Sequence, residues 1–176
     1  MNGRSGLAVC VSPFTIYRPP STVHALLHTD LKAFTARGDR AFSWSVRIYY
    51  EDTDWGGVVY HANYLRFLER ARTEWLRALG FAQPALAAEH RVVFVVRSLS
   101  VDFLKPARFD DVLEVGIELH DVGASRIRMS QRVRRGEETL VAARVEIACV
   151  NTATFKPARI PSSLSALLVR PAAKSA

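Results

Sequence analysis

Apolar and polar positions divide this chain into an irregular first segment and a periodic remainder. Up to about Arg40, Pro13, Pro19 and Pro20 and scattered serines and threonines leave no sustained period. Within it, Leu26, Leu27, Leu31 and Phe34 fall near helical spacing and suggest a short helix over His24–Ala36. Residues 1–41 read as a poorly ordered N-terminal extension. From Phe42 the pattern sharpens. Trp44, Val46, Ile48 and Tyr50 alternate with Ser43, Ser45, Arg47 and Tyr49, the two-residue period of a strand. Glu51-Asp52-Thr53-Asp54 breaks that period, and Gly56-Gly57 excludes a continuing regular strand.

Tyr60–Leu79 predicts the main helix. Tyr64, Leu68, Ala71, Trp75 and Leu79 form one apolar stripe, and arginines and glutamates occupy the other faces. Gly80 follows the last periodic residue, where a left-handed C-terminal cap favours a residue without Cβ. Four strands follow in antiparallel succession: Val92–Leu104, Val112–His120, Ser125–Arg134 and Glu138–Asn151. Pro106, Asp110-Asp111, Gly123 and Gly136 mark the turns, and Pro157 and Pro161 close the run. Residues 42–161 thus form the predicted domain, and residues 162–176 a tail with a short helix over Leu164–Val169. A strand, a long helix and four strands give an α+β layer architecture. A long central helix wrapped by a curved five-stranded antiparallel sheet is the hotdog fold.

With 176 residues and 49% hydrophobic content, the chain can bury one real core. No apolar run approaches the ~18–20 residues of a membrane span. Cys10 and Cys149 form no disulfide framework and no CxxC pair, which suits a reducing, cytoplasmic location. The formal charge of +7 calls for an anionic partner. No recognition helix, zinc-finger spacing or aromatic RNA-binding strand accompanies it, so nucleic acid is not expected, while solvated surface and phosphate-bearing small molecules both stay open. His24, His28, His61, His90 and His120 lack metal-ligand spacing, and Asp52-Thr53-Asp54 lacks the rest of a calcium loop. Nucleotide-binding glycine motifs are absent too, and neither metal nor cofactor is expected.

Reactive residue types concentrate in Tyr49–Thr73, YYEDTDWGGVVYHANYLRFLERART. Asp54 precedes a Gly-Gly turn that opens onto a helix. Helix starts expose unpaired N–H groups and the positive dipole end, and can hold an oxyanion. A carboxylate beside such a site suits acyl transfer. By residue pattern alone, Asp54 reads more readily as a cap or turn residue than as a catalytic one, and His61 as a packed or solvated one. Glu51 and Asp52 read as exposed turn charges.

The same segment, with Phe94-Val95-Val96-Arg97 and Lys105-Pro106-Ala107-Arg108, closely resembles the Tol–Pal-associated acyl-CoA thioesterases of the wider 4-hydroxybenzoyl-CoA thioesterase family. The resemblance spans roughly residues 44–161. It implies that Asp54 attacks the thioester carbonyl or activates water, without choosing between them. It implies that Tyr50 orients Asp54 or the water, and that the His61 backbone N–H polarises the carbonyl. Gly57, Val58, Val59 and Arg97 take substrate-binding positions, and Asn63 fixes local backbone. Trp55 stands where the family more often has alanine. Glu69 and Glu74, candidates for the helix carboxylate of another hotdog branch, read better as surface pairs. Arg97, Lys105, Arg108, Arg126, Arg128 and Arg132 are available to the phosphates of coenzyme A. The resemblance further implies a homodimer or homotetramer, since an unpaired subunit leaves an open sheet edge. Acyl carrier protein could replace coenzyme A as carrier. A second reading is a non-catalytic partner docking to lipid-synthesis or envelope machinery at the acidic inner-membrane face. A third, a hotdog dehydratase, lacks its Asp, Asn and His arrangement here.

Overall fold

The computed structural model describes residues 41–169, all within one compact unit. The expected extension, its helix at His24–Ala36, Cys10 and the end of the tail lie outside the described residues.

The elements run β1 (Ala41–Arg47), a single 3₁₀ turn (Tyr50–Asp52), α1 (His61–Ala78), α2 (Gln83–His90), β2 (Val92–Phe103), β3 (Val112–Val122), β4 (Arg126–Arg135), β5 (Glu138–Asn151) and α3 (Ser162–Val169). One five-stranded antiparallel sheet has the order β1-β3-β4-β5-β2. The α+β hotdog arrangement expected from the sequence is present. Among the described residues, no helix is long and apolar enough to cross a membrane.

Three features differ from the sequence reading. The strands do not pair in simple succession, because β2 sits on the far edge against β5. Its connection to β3 ends beside β1 instead, where Ile48 N–H donates to Asp111 O and Asp110 N–H to Ile48 O. The chain also leaves the β1 strand after Arg47, so Tyr50 opens the 3₁₀ turn rather than ending the strand. Finally, α2 was not foreseen. It is an eight-residue, alanine-rich helix with only Leu86 buried, too little apolar surface to leave a period.

The core lies between α1 and the inner sheet face. Tyr64, Phe67, Leu68, Ala71, Trp75 and Leu76 are buried on the helix. Leu113, Val115 and Ile117 of β3 and Ile127, Met129 and Val133 of β4 are buried beneath it. Alternation along both strands, buried inward and exposed outward, produces this face. Asn63 and Gln131 are the buried polar residues among those described, and Gln131 accepts from Arg72 at 2.7 Å and donates to Leu68 O at 3.0 Å. The pairing satisfies both ends of a buried amide. α1 ends as its glycine predicts. Gly80, at φ +88°, donates to Arg77 O, and Phe81 N–H to Leu76 O, the paired bonds of a Schellman cap. α3 buries Leu164 and Leu168.

Candidate active site

A short hairpin carries Asp54 between the sheet and α1. Thr53 bridges Val59, Asp54 N–H donates to Val58 O at 2.9 Å, and Gly57 N–H to Asp54 O at 3.0 Å. Gly57 has φ +70°, the left-handed residue that a three-residue hairpin loop requires. The Gly56 N–H donates to Asp54 Oδ1 at 2.8 Å, and a Cβ at position 56 would lie only 3.1 Å from that oxygen. Oδ2 has no hydrogen-bond partner among the described residues. The exposed carboxylate is therefore held at one oxygen and open at the other.

The hairpin is tied down behind Asp54 by main-chain acceptors. Asp52 O accepts from Tyr60 N–H at 2.9 Å and from Asn63 Nδ2 at 3.0 Å. Asn63 is buried and fixes backbone, as expected. Asp52 departs from its reading as an exposed turn charge: it is half-buried, and its Oδ2 accepts from Tyr49 N–H at 2.9 Å. Val59 N–H donates to Ala107 O at 2.9 Å, and Ala107 N–H to the Tyr64 hydroxyl at 2.8 Å. Burial pushes the Tyr64 phenol above its ordinary value of 10.0, and the hydrogen bond from Ala107 partly offsets that.

His61 is the first residue of α1, and the N–H groups of His61 and Ala62 have no acceptor among the described residues. Unpaired first-turn donors are the raw material of an oxyanion site. The His61 ring stands 4.4 Å from that of Tyr60 and 6.3 Å, edge on, from Phe103. It opens on a cleft of about 250 Å³, with Val59, His61 and Tyr64 on one side and Phe103, Leu104, Lys105 and Pro106 on the other. Asp54 lies at the hairpin tip, outside this lining.

The remaining expected residues are placed differently. Val59 is buried and lines the cleft, whereas Val58 serves through its backbone carbonyl. The Tyr50 ring stacks on Phe109 at 4.0 Å, and no hydrogen bond joins its hydroxyl to Asp54 among the described residues. Arg97 is six residues before Phe103 on β2, roughly 20 Å along the strand, and is ion-paired with Glu146. Arg126 and Arg128 converge on the same Glu146, Arg132 meets Glu118, and Lys105 meets Glu138. Hydrogen bonds from Arg128 and Arg97 hold the Glu146 carboxyl at about 2. Of the six cations named as phosphate contacts, Arg108 alone has no ion pair among the described residues. Glu69 accepts from Thr73, and Glu74 pairs with Arg77, so both helix carboxylates are engaged within α1. Cys149 is buried and its thiol is pushed up to about 11, which keeps it protonated and unreactive. Tyr64, Ala107 and Phe109 escaped the sequence reading as parts of the site. Ala107 lies in the Lys105-Pro106-Ala107-Arg108 match and Tyr64 in the Tyr49–Thr73 segment, whereas Phe109 lies in neither.

The model of the thioesterase superfamily matches residues 56–142. The acyl-CoA thioesterase YbgC of Haemophilus influenzae is 47% identical over 128 residues, 73% of this chain and 94% of that protein. The acyl-CoA thioester hydrolase YbgC of Escherichia coli is 49% identical over 126 residues, 71% of this chain and 93% of that protein. A probable thioesterase from Bartonella henselae, known by crystal structure, superposes with a TM-score of 0.66 at 40% identity. That match covers 69% of this chain and 99% of the other. This chain belongs to the thioesterase superfamily.

Proposed function

We propose that the chain is an acyl-CoA thioesterase in which Asp54 drives hydrolysis and the start of α1 holds the carbonyl oxygen. One observation carries this reading. A carboxylate with one oxygen fixed by Gly56 N–H and the other open sits on the hairpin leading into unpaired helix N–H groups. Acyl transfer from sulfur needs those two elements, a group that supplies the oxygen nucleophile and donors for the developing oxyanion.

The thioester carbonyl oxygen accepts from the His61 N–H as negative charge develops on it. Asp54 Oδ2 then either attacks the carbonyl carbon, giving a mixed anhydride that water opens, or takes a proton from the attacking water. The products are a carboxylic acid and the coenzyme A thiol on both routes. Tyr50 supports the loop through its stack on Phe109, and the cleft beside His61 receives the substrate. A homodimer is part of the proposal. β2 offers an unpaired edge among the described residues, flanked by exposed Val96, Leu99 and Phe103. A cytoplasmic site of action suits the free, buried Cys149.

The test is thiol release from a panel of acyl-CoAs, with wild type and Asp54→Ala matched for folding and for mass in solution. Asp54→Ala should lower kcat about 10²–10⁴-fold. Wild type inert on every acyl-CoA and acyl carrier protein thioester would overturn the reading and leave a docking role. Equal turnover by both proteins would keep the reaction and move the carboxylate, with Glu69 the next to replace.

A further inference from the structure

The cleft beside His61 has two sides from distant parts of the chain, and two hydrogen bonds at Ala107, one of them to a side-chain hydroxyl, join them. One side is the end of the Asp54 hairpin and the first turn of α1; the other is the 103–106 wall. The wall hangs from two anchors. At its start, Leu104 N–H and Lys105 N–H both donate to Leu140 O of β5, at 2.9 and 3.1 Å. At its end, the fully buried Ala107 donates its N–H to the Tyr64 hydroxyl and accepts from Val59 N–H. Pro106, between the anchors, has no N–H to offer.

Ala107 thus ties the hairpin through its carbonyl and α1 through its amide. We propose that Tyr64 is a positioning residue whose hydroxyl holds the wall at Ala107 against the Asp54 hairpin and so sets the spacing across the cleft. This role rests on the thioesterase reading above. Packing does not account for the hydroxyl. The ring is buried against Phe67 at 6.1 Å and Phe103 at 5.8 Å, contacts that a phenylalanine would also make. Only the oxygen satisfies the buried Ala107 amide. Small displacements of reacting groups are costly in rate, so a tie that fixes the hairpin acts mainly on turnover.

The experiment compares wild type with Tyr64→Phe, which keeps the ring. Phe67→Leu serves as a packing control, since Phe67 does not line the cleft. Amide hydrogen exchange on the full chain should be at least about ten-fold faster at Val59 and Ala107 in Tyr64→Phe, with Met129 in the sheet unchanged. With the acyl-CoA that wild type turns over best, kcat should fall roughly 10- to 100-fold while KM stays within about two-fold. Phe67→Leu should lower the melting temperature and keep kcat. Unchanged exchange at both amides in Tyr64→Phe would overturn the tie. Faster exchange with unchanged kcat would reduce Tyr64 to a structural bond and overturn its positioning role. An equal loss of kcat in Phe67→Leu would also overturn it, by assigning the effect to packing. A wild type inactive on every thioester would instead mark the failure of the thioesterase reading, and exchange would still decide whether the tie exists.

Discussion

The body of the molecule and the hairpin that carries Asp54 are held together by different forces. In the body, Phe67, Leu68, Ala71 and Trp75 are at most 4% exposed, packed on Leu113, Val115, Ile127 and Val133, each fully buried. Burial of that kind contributes about 1.5–3 kcal/mol for each large apolar side chain. In residues 49–60 only Val59 is buried, and Trp55 is wholly exposed. The hairpin instead takes its shape from main-chain bonds: Asp54 to Val58, Gly57 to Asp54, Tyr60 to Asp52 and Val59 to Ala107. A segment held by its backbone leaves its side chains free for chemistry, so the residues that react need not also pack.

Three changes probe that division, beginning with the largest effect. Phe67→Ala empties a core position and should cost about 3–5 kcal/mol in urea unfolding, with the slope unchanged. Gly57→Ala forces a side chain into left-handed backbone at φ +70° and should cost about 1–2 kcal/mol. Its effect on turnover should exceed its effect on stability. If Gly57→Ala were as destabilising as Phe67→Ala, the hairpin would be part of the cooperative body and the contrast would fail.

The smallest effect concerns the outer sheet face, where three arginines meet Glu146. Its carboxyl lies at about 2, below the ordinary 4.5, because of the hydrogen bonds from Arg128 and Arg97. A depressed carboxylate stabilises the fold above its unfolded value and loses that contribution as pH falls through the folded one. The contribution is therefore complete above pH 4.5 and fades toward pH 2. Urea unfolding across that window should show a shallower loss of stability for Glu146→Gln than for wild type. Identical slopes would mean that solvent screens the cluster.

Much of the body was legible in the sequence because its signals are local. The α1 stripe, its Gly80 cap and the β5 boundaries depend on residues close in the chain. The sheet order was not legible, since pairing Ala41 with Glu118 or Val92 with Asn151 leaves no mark in either segment. Alternation continued through Ile48 to Tyr50, and Ile48 still exchanges main-chain bonds with Asp110 and Asp111, but the chain then turns into the 3₁₀ turn at Tyr50, a change that the period does not register. At the candidate site, the composition of Tyr49–Thr73 and the family resemblance located the hairpin and Asp54. The Tyr64–Ala107 tie joins residues far apart in sequence, and Asp52 matters through its backbone carbonyl, which every residue type carries.

The sheet order also constrains how the chain can assemble. β1 and β2, the first two strands in sequence, occupy the two edges, and each has one partner: β3 for β1, β5 for β2. As the protein emerges from the ribosome, neither can join a ladder until its distant partner has been made, whereas α1 can form from its own residues. Long loops must close before these pairings contribute stability, and topologies of that kind fold slowly. β1 can pair once β3 has been made, but β2 must wait for β5, the last strand in the chain, so β2, with its exposed Val96, Leu99 and Phe103, stays open to misassembly longest during synthesis.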